Sequence, residues 1–300
     1  ERVILKPLVK RLITAVLCAS TLTAPLFLTG CSVSKIANGV QNGVQKGQDQ
    51  DVKVFNNYIE AISNFNDHTI TFSFANTPTI QKLKSGEHLT SFSAPDFKEL
   101  QEDLQKAKEA GVPYDDMKEP LDKVLASLDQ IVPVANELHS YYDAKTYTTD
   151  NYAKEQQLGA KYVQLYEQFY VVYPALHDIV RKHNTENQQE QLKALKDSGK
   201  LNAAAAQEVY LRLAAVLDNF GEGKQIDVNA VNQELQSISD VANTVNSEDY
   251  EHIKQSLNQT IGAIRTFMAD QNGNHYNEMI EEYNDFIDDM NHLDVTKLDK

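Results

Sequence analysis

From Asp51 onward, apolar residues recur every three or four positions with charged and amide residues between them. That is the period of an α-helix with one buried face. Phe55, Tyr58, Ile59, Ile62 and Phe65 predict a first helix. Residues 68 to 94 carry Pro78, Gly86 and clustered Ser and Thr, which predicts irregular chain with one short helix near Ile80. Ser93 and Pro95 open a helix bearing Phe97, Leu100 and Leu104, and Gly111-Val112-Pro113 closes it. The next stripe is Leu121, Val124, Leu128, Ile131, Val134 and Leu138, with Pro133 inside it. An interior proline lacks the N–H its turn needs and predicts a bend there.

After a loop at Lys145–Thr149, a long pattern runs from Asp150 to about His183. Leu158, Tyr162, Leu165, Phe169, Val172, Leu176 and Ile179 share its apolar face, and Pro174 interrupts it. A separate helix holds Leu192 and Leu195 and stops at Gly199. Asn202 is the expected N-cap of AAAAQEVYLRLAAVLDNF, which Gly221 and Gly223 end. Asp227 caps a helix with Val231, Leu235, Ile238, Val241 and Val245, and Ser247 starts another with Ile253, Leu257, Ile261, Ile264 and Phe267. Gly273 precedes a last helix with Tyr276, Ile280, Tyr283, Ile287 and Met290.

No stretch alternates with period two for long, and ITFSF at Ile70–Phe74 is the sole strand-like candidate. One strand cannot make a sheet. The expected fold is therefore all-α, an antiparallel helical bundle or elongated helical array spanning residues 51–295, without significant β-sheet.

The first thirty residues differ in kind. Arg2, Lys6, Lys10 and Arg11 precede an apolar run, Leu12 to Leu28, that Thr, Ser and Pro25 dilute. A spanning helix needs about 20 mostly apolar residues, so a cleaved export signal over 1–30 fits better. The run ends in Leu28-Thr29-Gly30-Cys31, which resembles the lipobox of bacterial lipoproteins. That resemblance implies a lipidated Cys31 as the mature N-terminus, carrying acyl chains such as palmitate. Two or more chains anchor a protein stably. Ser32 follows the cysteine instead of the Asp that retains such proteins in the inner membrane, so the expected address is the outer membrane, facing the periplasm. Residues 31–50, rich in Gly, Gln and Asn, read as a tether with a reach of roughly 20–25 Å.

Charge and cysteine content narrow the function. The chain has a net charge of −15, and loss of residues 1–30 removes four basic and one acidic residue, taking it to −18. Such a domain repels nucleic acid and anionic headgroups. Cys18 would leave with the signal, so no mature disulfide or free thiolate chemistry is expected.

The order of lipobox, polar tether and acidic helical domain is similar to the YiiG-like family of bacterial lipoproteins, whose function is unknown. The local likeness is strongest in YYDAKTYTTDNYAKEQQLGAKY, Tyr141 to Tyr162, where a Tyr-rich helix end, a K-x-Y-x-x-D turn and a new helix follow one another. The resemblance implies an α-helical fold and a lipidated Cys31. It implies no catalytic residues.

The residues themselves carry no G-x-S-x-G, H-E-x-x-H, C-x-x-C or G-x-G-x-x-G, and no two histidines stand four apart. Asp270-Gln-Asn-Gly-Asn-His275 has a faint calcium-loop look, but an EF-hand register would put Met268 and Met279 where acids belong, so a turn is expected. Glu281, Asp285, Asp288 and Asp289 form an acidic stripe that reads as a solvated face. Tyr162, Tyr166, Tyr170 and Tyr173, spaced four, four and three, align on one helix face, with Tyr141, Tyr142, Tyr147 and Tyr152 nearby. Flat rings with polar tips suit a sugar or a peptide, and this face is the candidate binding surface, weighed against packing at the core edge.

The expected function is a non-enzymatic, membrane-anchored binding or structural module, held to the membrane by lipid on Cys31 and meeting an envelope protein or glycan. No cofactor or metal site and no nucleic-acid partner are expected. The alternatives are a cell-wall glycan enzyme with a carboxylate site, or a carrier of metal or small molecules.

Overall fold

A computed structural model describes residues 2–3, 45–220 and 225–299. The expected signal (beyond Arg2 and Val3), Cys31, the tether as far as residue 44, and the Gly221/Gly223 stop all lie outside them. The described chain is helical almost throughout. Its helices are α1 (Gln45–Ser85), α2 (Phe97–Ala110), α3 (Lys118–Asp143), the short α4 (Tyr147–Asp150) and the long α5 (Ala153–Asp197). There follow α6 (Leu201–Leu217), α7 (Val228–Thr244), α8 (Glu251–Asp270) and α9 (Gly273–His292). The extended pairing among the described residues is two residues long: β1 (Arg2–Val3) lies antiparallel to β2 (Ile226–Asp227). The fold is an all-α helical array.

Two compact units divide the chain, residues 50–181 in one and residues 1–49 with 182–300 in the other. In the first, aromatic rings fill the space where α1, α2 and α5 meet. Phe65 lies 5.8 Å from Phe97, 5.7 Å from Phe169 and 5.3 Å from Tyr173, centroid to centroid. Such edge and tilted contacts let the positive ring edge of one meet the negative face of another. The Tyr58 hydroxyl donates to Gly111 O at 2.6 Å, fastening α1 to the end of α2. Gly159 sits where α5 meets α1, and a Cβ there would stand 2.9 Å from a methyl of Leu83.

In the second unit α8 and α9 form a helical hairpin closed at Gln271-Asn272. Thr260 Oγ1 donates to Glu282 O at 2.8 Å, and the Asn272 side chain accepts from Asn274 N at 2.8 Å to cap α9. Asp227 caps α7 through Ala230 N at 3.1 Å, as its position predicts. Arg212 of α6 reaches α7, bonding Glu234 Oε1 and Ser237 Oγ, each at 2.7 Å.

Every apolar stripe position in the 51–65, 97–104 and 121–138 stretches is buried. Several details depart from the sequence reading, besides the helical turn α4 within the expected Lys145–Thr149 loop. Residues 68 to 85, ITFSF included, are helical and continue α1; the irregular segment is confined to 86–96. Residues 45–50, the expected end of the tether, are helical as well. The stretch around 183–192 is no break, because α5 continues through it to Asp197. Asn202 is not an N-cap. It stands in the first turn of α6, where its Nδ2 donates to Leu298 O at 2.7 Å, while Asp299 accepts the N–H groups of Asn202 (2.8 Å) and Ala203 (3.0 Å). A carboxylate from the chain's end thus serves the orphan donors of that helix.

Candidate functional site

The four tyrosines proposed as a face are not one open surface. Tyr162 and Tyr173 are buried, at 0% and 2% exposure, while Tyr166 and Tyr170 are half-buried beside them. The cause is the width of the helix stripe. Steps of four and three turn gradually around α5, and positions 162, 169 and 173 fall on the side facing α1 and α2. Tyr173 donates to Asn66 Oδ1 at 2.7 Å, and the Tyr162 ring meets Phe92 edge-on at 5.0 Å. The structure accordingly corrects the binding-face expectation for Tyr162 and Tyr173, which belong to the core. Burial pushes the hydroxyls of Tyr162 and Tyr170 well above the ordinary phenol range.

The other tyrosines, Tyr141, Tyr142, Tyr147 and Tyr152, gather where α3 ends and α5 begins, around a carboxylate. Glu155 is the one acidic residue in the buried class among the described residues, at 4% exposure. Its oxygens collect donors from separate elements. The Tyr142 hydroxyl at the end of α3 donates to Oε2. Leu89 N–H, in the segment after α1, donates to the same oxygen at 3.0 Å. His88 Nδ1, from that segment too, stands 2.6 Å from Oε1. A carboxylate only accepts, so this nitrogen carries the proton and Nε2 faces away. Burial, with the hydrogen bond to Glu155 second, lifts the Tyr142 phenol far above its ordinary range.

Aromatic stacking completes the cluster. The His88 ring lies flat on Tyr152, with centroids 3.8 Å apart and planes 12° apart, and Tyr152 stacks in turn on Tyr147 at 5.3 Å. The backbone is bent to allow this: Asn151 and Tyr152 both take positive φ, +50° and +62°. Left-handed backbone at a bulky aromatic residue costs about 1 kcal/mol and persists only where its surroundings enforce it. Asp150 supplies the enforcement, accepting from Tyr152 N (3.0 Å), Lys154 N (3.1 Å) and the Tyr141 hydroxyl (2.8 Å). Burial works to raise the Asp150 pKa, but those hydrogen bonds outweigh it and hold the carboxyl below the usual range.

Sequence reasoning missed Glu155 and His88. Sixty-seven residues separate the pair, and nothing in their spacing links them. The available signal was the segment Tyr141–Tyr162 itself, whose turn bends Tyr152 and Glu155 into place. The acidic stripe of α9 is solvated at Glu281, Asp285 and Asp288, while Asp289 faces His252 Nε2 at 3.0 Å. In the 270–275 loop, Asp270 accepts from Asn272 N and pairs with His275 Nδ1, both at 3.0 Å, which is a turn held by side chains. Among the described residues no group of three or more His, Cys, Asp or Glu could hold a metal ion. The groove between α2 and α3, about 530 Å³, is lined by Gln105, Lys108, Asp122 and Asp129, and Lys108 and Asp122 pair across it at 2.6 Å.

A family model described as "Protein of unknown function (DUF3829)" matches residues 49–273, three quarters of the chain. The chain belongs to this family. The DUF3829 match takes in the whole Glu155 cluster and most of the second unit. No curated protein and no solved structure matches the chain.

Proposed function

We propose that this DUF3829 chain is the precursor of a lipid-anchored envelope protein whose helical part is a binding module. One observation carries the anchor: Leu28-Thr29-Gly30-Cys31 closes an apolar run that follows four basic residues. Cleavage before Cys31 would leave a lipidated N-terminus and a mature chain of net charge −18. The narrower likeness to YiiG-like lipoproteins, carried by Tyr141–Tyr162, favours the same reading. Ser32 favours delivery to the outer membrane. No described helix is long and apolar enough to cross a membrane. In the mature form the β1–β2 pairing would be absent, since Arg2 and Val3 leave with the signal.

The binding part of the reading draws on the Glu155 cluster. The stacked rings of His88, Tyr152 and Tyr147 are its part-exposed face, and the buried Glu155 carboxylate, its oxygens held by three donors, fixes them in place. Membrane fractionation of the native chain against Cys31→Ser tests the anchor. The native protein is expected in the outer-membrane fraction, and the variant in the soluble fraction or held as uncleaved precursor. Identical distributions would remove the reading.

A further inference from the structure

The segment between α1 and α2 is held unlike the rest of its unit. Gly86 turns the chain at φ +75°, and among the described residues no backbone N–H from 88 to 94 donates to a backbone carbonyl. Phe92 anchors the middle of this strap against Tyr162 and Tyr142. At its tip, two N–H groups from adjacent residues reach the two oxygens of one carboxylate: His88 Nδ1 to Oε1 at 2.6 Å and Leu89 N to Oε2 at 3.0 Å. Above them the His88 ring lies flat on Tyr152 at 3.8 Å.

Two N–H donors on the two oxygens of one carboxylate, one of them from a flat nitrogen-bearing group stacked on an aromatic ring, are the contacts an arginine guanidinium makes. We propose that Glu155, Tyr152 and the Tyr142 hydroxyl form a site for an arginine side chain, and that the His88–Leu89 tip of the strap fills it as a built-in stand-in. The site opens to water, because the His88 side chain is 45% exposed over a Glu155 that is 5% exposed. An incoming guanidinium displaces the exposed His88 ring from Oε1 and competes with the Leu89 N–H at Oε2, while the Leu89 side chain, itself 5% exposed, and Phe92 stay in place. The ligand is an arginine presented by a protein or peptide partner, which suits a chain of net charge −15. A lone ammonium lacks the planar fork and the stacking face, so lysine fits less well.

This rests on the binding-module reading and not on the lipid anchor, whose own test is independent of Glu155. The experiment uses the full chain carrying His88→Ala, which empties half of the slot, and titrates N-acetyl-arginine methylamide by calorimetry. The neutral citrulline counterpart serves as control. The variant should bind the arginine probe at least about tenfold more tightly than citrulline, and at least about tenfold more tightly than the native chain does. Adding Glu155→Gln should abolish the preference, and adding Tyr152→Ala should weaken binding by about fivefold. Circular dichroism establishes that each variant is folded; if the glutamine variant is not, the tyrosine variant decides. Absence of saturable binding, equal affinity for citrulline, or binding unaffected by both second substitutions would overturn the proposal.

Discussion

Glu155 differs from its donors in what its loss leaves behind. Glu155→Ala strands the Tyr142 hydroxyl and the Leu89 N–H in a buried position, whereas Tyr142→Phe removes one donor of three. Hydrogen bonds to a charged acceptor are worth about 1.5–3 kcal/mol each, so the alanine change should cost about 3 kcal/mol or more and the phenylalanine change about half of that. Urea unfolding of the two variants measures the difference, and equal losses would contradict the assigned network. Gln207 makes the converse case. It is fully buried, and neither atom of its amide has a hydrogen-bond partner among the described residues. Replacing an unsatisfied amide with an apolar group of similar size removes a desolvation penalty, so Gln207→Leu should stabilise the chain by about 1 kcal/mol. A loss of stability in the same assay would mean that the amide is satisfied. The core was legible along most apolar stripes, although Val172, Ile179, Leu192 and Val241, placed on them, are only half-buried. Glu155 was not, because what defines it is three donors from distant segments.

At the level of elements, α5 shows how a boundary comes to be misread. Counting apolar positions ends α5 near His183, since RKHNTENQQEQ has none of them. Yet His183, Asn184 and Gln188 are the buried residues of that stretch, at 8%, 4% and 3% exposure, and Gln188 Nε2 reaches Asn184 Oδ1. Polar residues keep the helical period there, and Glu, Gln and Lys are good helix formers. Residues 68–85 are a different case: Pro78 and clustered Ser and Thr suggest irregular chain there, and the backbone is helical.

The Arg212–Glu234 clamp between α6 and α7 gives a pH-dependent prediction. The hydrogen bond from Arg212, opposed by burial, holds the Glu234 carboxyl below its ordinary range. A depressed carboxyl contributes stability above the unfolded value, near 4.3, and that contribution is lost as pH falls through the lower folded value. Because the pair is partly exposed, its contribution is about 1 kcal/mol or less. Arg212→Met should therefore cost up to that amount at neutral pH and flatten the stability profile below about pH 4.3. A variant profile parallel to that of the native chain would contradict the clamp.

At the scale of the whole molecule, nine of the fourteen tyrosines are buried, and this shapes its response to alkali. Burial pushes the Tyr58 phenol up to about 12, and burial raises Tyr142, Tyr162, Tyr250 and Tyr283 further. A raised phenol contributes stability that is intact below the unfolded value of about 10 and is lost as pH climbs through the folded value. Absorbance at the phenolate band should thus show a delayed set of tyrosines that ionise together with loss of helix above about pH 11. Simple titration of all tyrosines near pH 10 with helix retained would contradict this.

All-α architecture was legible across both units; the break expected near His183 falls beside their division at residues 181 and 182, although α5 itself continues through it. The anchor belongs to this scale too, since it decides where the whole domain works. Intact-mass and N-terminal peptide mass spectrometry of the protein from bacterial membranes tests that claim most directly. The account predicts a mature chain that begins at Cys31, with diacylglycerol on its sulfur and an acyl group on its amine. A chain that keeps residues 1–30, or an unmodified Cys31, would contradict it.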